Sequence, residues 1–166
     1  MLQTRNVTTD GVGFDDFFAA QYERLVRACL LLTGKPDEAE DLAQEAMARV
    51  LERWDRVSAM DDPEGYLYRT AMNIHRNALK RLAMMARRQT VHQRSEDLED
   101  TNRRLDLLQA IRSLPRTQRE ALILVEWLGY STEEAGRLLG IESVSVRGRL
   151  HRARGSLRER YGGSDG

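Results

Sequence analysis

The stretch "STEEAGRLLGIESVSVRGRLHRARGSLRER", residues 131–160, decides how the chain is read. Ser131 followed three residues later by Glu134 is a capping box, the signature of a helix start. Gly140 is a stop signal and Ile141–Glu142–Ser143 turns the chain, with Ser143 placed to cap the next helix. In that helix Val146, Leu150, Ala153 and Leu157 recur at i, i+4, i+7 and i+11, one apolar stripe. Arg147, Arg149, Arg152, Arg154, Arg158 and Arg160 fall off the stripe, and only Glu142 and Glu159 flank them with acid. A short capped helix, a glycine turn and a longer basic helix make a helix-turn-helix pattern. A solvated charged face held by salt bridges is the alternative, but the arginines have few acids near them in sequence.

A DNA-reading helix enters the major groove by its first turns. That places Ser143, Ser145, Arg147, Gly148 and Arg149 at base edges and sends later arginines, from Arg152 onward, toward phosphates. The whole chain is nevertheless balanced, with 26 basic and 26 acidic residues among 166. The basic segment therefore implies an acidic surface elsewhere.

Working toward the N-terminus, residues 103–130 carry further helical spacing, broken at Pro115. Before them, "QTVHQRSEDLEDTN", residues 89–102, is polar and aperiodic and reads as a flexible linker. The first half holds three helices. Phe14, Phe17, Phe18, Tyr22, Leu25, Val26 and Cys29 mark one, stopped by Gly34. Pro36 opens a second, with Ala39, Leu42, Ala43, Ala46, Met47, Val50, Leu51 and Trp54 on its apolar stripe. Asp62 as cap and Pro63 as first residue open a third, whose inner stripe runs through Tyr66 or Leu67, Ala71, Ile74, Ala78 and Leu82. Its other side carries Arg69, Asn73, Arg76, Asn77, Lys80 and Arg81, with Tyr66 and Tyr68 near the start. Cations, amides and rings on one face suit single-stranded nucleic acid. On the second helix Asp41, Gln44 and Glu45 form an exposed acidic and amide patch. It is either a solvated face or a docking site for a basic protein surface.

The expected architecture is all-α: two small helical domains joined by a flexible linker, the second a helix-turn-helix domain. The units are a flexible N-terminus at 1–13, a first domain at 14–88, the linker at 89–102, a second domain at 103–161 and a flexible C-terminus at 162–166. Hydrophobic content of 41% supports a core, and a 6% aromatic share with three prolines favours helices. No apolar run reaches the length of a membrane span, and the N-terminus lacks a signal-peptide core. The lone Cys29 fits a reducing interior and a core position. His75, His92 and His151 are scattered without companion cysteines, so no metal site, cofactor or catalytic constellation is expected. A cytoplasmic protein without membrane insertion follows.

Three fragments taken in order carry a resemblance: "LLTGKPDEAEDLAQEAMARVLERW", "DDPEGYLYRTAMNIHRNALKR" and "LPRTQREALILVEWLGYSTEEAGRLLGIESVSVRGRLHRAR". The chain resembles the extracytoplasmic-function (ECF) RNA polymerase sigma factors in their minimal two-domain form, most closely the small actinobacterial SigE-type subgroup. The resemblance implies a factor that binds core RNA polymerase and directs it to specific promoters. The implied polymerase surfaces are the clamp helices and the flap region, with Asp41, Gln44, Glu45 and Arg49 as the polymerase-binding residues. The loop Asp55–Asp62 would capture a flipped base of the minus-10 element, with Tyr66, Arg69, Asn73, Arg76, Asn77, Lys80 and Arg81 along the strand. Ser143, Ser145, Arg147, Arg149 and Arg152 would read the minus-35 element. An anti-sigma factor is a further implied partner. The chain departs from the family pattern at Tyr66, often tryptophan, Asn77, often aspartate, Ala135–Gly136, usually Ile-Ala, and Gly148, commonly serine. Two alternatives stay open on the residues alone: a LuxR-type helix-turn-helix regulator that binds promoters without being a polymerase subunit, and a helical interaction module that binds polymerase or a sigma factor without starting transcription.

Overall fold

The computed structural model describes residues 13–88 and 103–161, all of them helix and turn. The linker expected at 89–102 and the expected flexible ends, Gly13 apart, lie outside the described residues. Helices α1 (Phe14–Thr33) and α2 (Pro36–Glu52) form an antiparallel hairpin around Gly34, which adopts φ +71° and sends its N–H to the Leu30 carbonyl. Only glycine takes that left-handed conformation without strain. The short helix α3 (Trp54–Val57) leads into a tight turn, and α4 (Pro63–Arg88) follows. Asp62 caps α4 through its Oδ1, which accepts from Gly65 N at 2.8 Å, so aspartate and proline together set the start.

The second unit comprises α5 (Arg103–Ser113), α6 (Arg116–Leu122), a π-helical turn (Ile123–Trp127), α7 (Thr132–Leu139) and α8 (Ser143–Tyr161). The capping box of Ser131 and Glu134 is formed in both directions, and Gly140 ends α7 with φ +69°. At α8 the first helical bonds run to the Glu142 carbonyl, from Ser145 and Val146. Glu142 therefore occupies the cap position, and Ser143, expected there, is the first helical residue. The expected stripe is inside: Val146, Leu150 and Ala153 are buried and Leu157 packs against the same core.

One hydrophobic cluster runs through both units, from Leu25, Leu32, Met47 and Tyr68 to Ile111, Leu124, Val146 and Leu150. Helix α1 touches α5, α6 and the π-helical turn, and α4 touches α7. Polar contacts cross the same seam. Arg24, paired with Glu64 of its own unit at 2.8 Å, donates across the seam to the Leu128 carbonyl at 2.7 Å. Arg119 donates to the Leu32 carbonyl at 2.8 Å.

Helix α4 departs from its expected stripe near its end. Leu67, Ala71 and Ile74 are buried, but Ala78 is half-buried and Leu82 is 58% exposed. The helices that cover its first three turns do not extend this far. Tyr68, expected with Tyr66 on the polar face, is buried, its hydroxyl 3.5 Å from Gln21 Oε1. Cys29 is fully buried, and desolvation pushes its thiol up to about 12, consistent with a core residue rather than a nucleophile.

Candidate nucleic-acid and polymerase-binding surfaces

The acidic patch is a consequence of helical period. Ala39, Leu42, Ala43, Ala46, Met47 and Val50 are buried, which turns Asp41, Gln44 and Glu45 to solvent. Glu45 accepts from Arg49 at 2.6 Å, one turn away. Pairs of this kind on an open surface contribute little to stability, so the patch is available to a partner.

Arg49 also borders a second surface. Arg49, Arg53, Arg56, Tyr66, Arg69, Thr70 and Asn73 line a pocket of about 310 Å³ where α2, α3 and α4 converge. Arg53 Nη1 donates to the Tyr66 hydroxyl at 3.1 Å. That hydrogen bond, with the charges of Arg53 and Arg56, lowers the Tyr66 phenol from its usual value against a smaller opposing effect of burial. Four guanidinium groups around one ring and one amide can hold an unpaired nucleotide: the cations take the phosphate and the ring stacks. Arg53 was not among the expected residues, and Arg56 was expected only as part of the loop Asp55–Asp62, whose first residues instead belong to α3. The signal was present, since Arg49, Arg53 and Arg56 follow i, i+4, i+7 across the α2–α3 junction.

Farther along α4, Asn73, Asn77, Lys80 and Arg81 are exposed, as is Arg69. Arg76 is different. Its Nη2 lies 3.2 Å from Glu120, a fully buried carboxylate of α6 that also accepts from Arg116 at 2.7 Å. A residue expected to follow the DNA strand is thus turned into the seam between the units. Beside it His75 is buried, with Nε2 lacking a hydrogen-bond partner among the described residues. Burial lowers its basicity, helped by the charge of Arg119 and opposed by Glu120. The turn expected to capture a flipped base opens on the seam too: Asp61 and Asp62 line a cleft of about 920 Å³ with Tyr130, Glu134, Arg137 and Leu138 of the second unit.

On α8, Ser145, Arg147 and Arg152 are exposed, while Ser143 and Arg149 are half-buried on its flanks. Ser143 Oγ accepts from Arg147 at 3.4 Å, and Arg147 also lies 3.5 Å from Glu133 Oε1. Arg154 is engaged by Glu126 of the π-helical turn, at 2.9 Å from Nε. The i→i+5 bond from Leu128 to Ile123 inserts one residue into that helix end, and Glu126 follows on the exposed side.

Among the described residues no group of three histidine, cysteine or acidic side chains is arranged to hold a metal ion, and no helix is long and apolar enough to cross a membrane.

Comparison with known proteins agrees with this geometry. Residues 17–84 match the sigma-70 region 2 family, and residues 104–157 match sigma-70 region 4. The RNA polymerase sigma-E factor of Streptomyces antibioticus is 30% identical over 149 residues, covering 88% of this chain and 83% of the relative. The ECF RNA polymerase sigma factor SigF of Caulobacter vibrioides is 31% identical over 138 residues, covering 81% and 77%. Among solved structures, the sigma factor RpoE in complex with the anti-sigma factor NepR from Bartonella quintana shares the fold at TM-score 0.76 and 22% identity, over 88% of this chain and 94% of that one. CnrH in complex with the cytosolic domain of CnrY shares it at TM-score 0.66 and 21% identity, over 92% and 89%. The LuxR-type alternative finds no support, because the first unit matches sigma region 2. With a region 2 match at residues 17–84, a region 4 match at 104–157 and ECF relatives of 30–31% identity covered over most of their length, the chain belongs to the ECF sigma factors of RNA polymerase.

Proposed function

We propose that the chain acts as a sigma subunit through three separate surfaces: the α2 patch for core polymerase, the arginine pocket and α4 face for the minus-10 strand, and α8 for minus-35 duplex. The observation that carries this reading is the arginine pocket around Tyr66. It suits an unpaired nucleotide, whereas α8 suits duplex, and a factor that opens DNA needs both kinds of surface on one chain. Asp41, Gln44 and Glu45 meet the clamp helices of the largest subunit, with Arg49 at the border between polymerase and DNA. Tyr66, Arg69, Asn73, Asn77, Lys80 and Arg81 hold the melted strand, joined by Arg53 and Arg56. Arg76 joins them once Glu120 releases it. The protein works in the cytoplasm as an initiation factor, with no catalytic chemistry of its own. The two solved relatives in complexes with NepR and CnrY support an anti-sigma factor as a further partner of the packed two-unit form.

Reconstitution tests the reading. Core polymerase mixed with this chain and a library of promoter fragments should yield run-off transcripts from a defined subset. Transcripts from none of the fragments, with the chain binding duplex DNA by itself, would sink the sigma reading. Arg53→Ala and Arg56→Ala should each weaken open-complex formation on all active promoters alike, because phosphate contacts carry no sequence. A loss confined to some promoters would contradict the assignment.

A further inference from the structure

Helix α8 has two stripes. The inner one, Val146, Leu150, Ala153 and Leu157, is apolar and packed. The outer one, Val144, Gly148, His151 and Gly155, repeats the same +4, +3, +4 spacing on the opposite side, about 160° away at 100° per residue. It begins with a 63% exposed valine, and a Cβ added at Gly148 would meet nothing nearer than the Arg152 guanidinium at 3.8 Å. Neither residue helps the helix. Valine is β-branched and mostly exposed here, and a mid-helix glycine is among the poorest helix formers. Packing therefore explains neither choice. Arg147 and Arg152 stand one on each side of the ridge, each about 70° from its centre, and both are exposed.

These observations describe a helix face adapted to contact rather than to stability. The major groove is about as wide as a helix with its side chains. A helix that carries no side chain at the centre of its leading face sits deeper in that groove. The only apolar group the groove offers is the thymine 5-methyl, and an exposed valine in the first turn is the matching surface. We infer that α8 reads the minus-35 element through the Val144–Gly148 ridge, with Val144 against the methyl group of a thymine and Gly148 allowing the helix backbone close approach, and with Arg147 and Arg152 contacting bases or phosphates on either side. Ser143 and Arg149, set back on the flanks, are secondary. This rests on the sigma reading and adds the readout chemistry to it.

The test uses holoenzyme reconstituted from core polymerase and the full chain. Bound fragments are first selected from a random library, which defines the minus-35 element. Each thymine of that element is then replaced singly by deoxyuridine, which removes only the methyl. One replacement should weaken wild-type binding about fourfold, the loss expected for one methyl fewer in contact. Val144→Ala holoenzyme should bind the thymine duplex more weakly by a similar factor and be insensitive to that same replacement. Gly148→Ala gives an independent readout: the thermal midpoint of the free chain should hold or rise, while binding to the selected element falls at least about fivefold. Undiminished binding by Gly148→Ala overturns the close approach. An element without thymine, no methyl-sensitive position, or Val144→Ala retaining the wild-type sensitivity overturns the methyl contact. Failure of the wild-type holoenzyme to select any sequence would instead overturn the sigma reading, and this inference with it.

Discussion

Gly136 lies in α7 where the chain turns toward α8, and an added Cβ would sit 2.7 Å from the Ile141 carbonyl oxygen. That same turn is closed by the bond from Ile141 N to Gly136 O at 2.9 Å. Gly136→Ala gains helix propensity of about 1 kcal/mol but forces backbone against backbone. We expect a net destabilisation of about 1–3 kcal/mol, read as a lower urea midpoint, in contrast to the neutral or stabilising Gly148→Ala. At Cys29 the consequence is chemical. A buried thiol held mostly protonated should not react with an aromatic disulfide reagent at pH 8 until the chain unfolds, and fast labelling of the native protein would contradict its burial. His75 yields a pH dependence. Its folded basicity is lowered from 6.5, so below about pH 6.5 the unfolded chain takes up a proton that the folded chain refuses. Stability is therefore full above that value and falls on acidification, at up to about 1.4 kcal/mol per pH unit. Urea midpoints compared at pH 7.5 and 5.5 should show this loss, and His75→Gln should reduce it.

At the level of elements, the clearest test concerns α7. Ser131→Ala removes the acceptor for Glu134 N and should lower stability by about 1 kcal/mol, measured by denaturant unfolding. Glu134→Gln, which can still reach back to the Ser131 N–H, should be milder. That cap was legible in the sequence, as were Gly34, Pro36, Asp62–Pro63 and Gly140, because each acts on the chain within a few residues of itself. The inner stripe of α8 was legible for the same reason. What was not legible depends on neighbours distant in sequence. Tyr68 follows its helix inward to Gln21, and Leu82 is exposed because no described helix covers that end of α4. The spacing of Arg49, Arg53 and Arg56 is legible, but they become a site only when α3 folds back toward Tyr66. The outer ridge of α8 is visible in the spacing, but the structure is needed to show that Val144 is exposed.

At the scale of the molecule, the two units meet along one seam, where Glu120, at 0% exposure, holds Arg76 of the first unit and Arg116 of its own. A folded chain of this length is roughly 40 Å across. Promoter elements centred about 25 base pairs apart lie ~85 Å apart along the duplex. If α4 and α8 take the elements proposed for them, the packed form is too short to touch both and the units would part on the promoter, where residues 89–102 can span at most about 50 Å when extended. Glu120→Gln should loosen the seam at a cost of about 1–3 kcal/mol, discounted for the partial exposure of both arginines. Small-angle scattering should then show a larger radius of gyration; an unchanged radius would mean that apolar packing alone holds the units together.

The seam that contains the Arg76–Glu120 pair would then set a threshold for the whole reaction. If polymerase accepts only the parted form, its apparent dissociation constant is the intrinsic one divided by the fraction of chains already apart. A chain parted one time in a hundred would need about a hundredfold more polymerase for the same occupancy. Glu120→Gln should then lower stability and tighten polymerase capture in the same molecule, so that a less stable chain becomes the more readily recruited one.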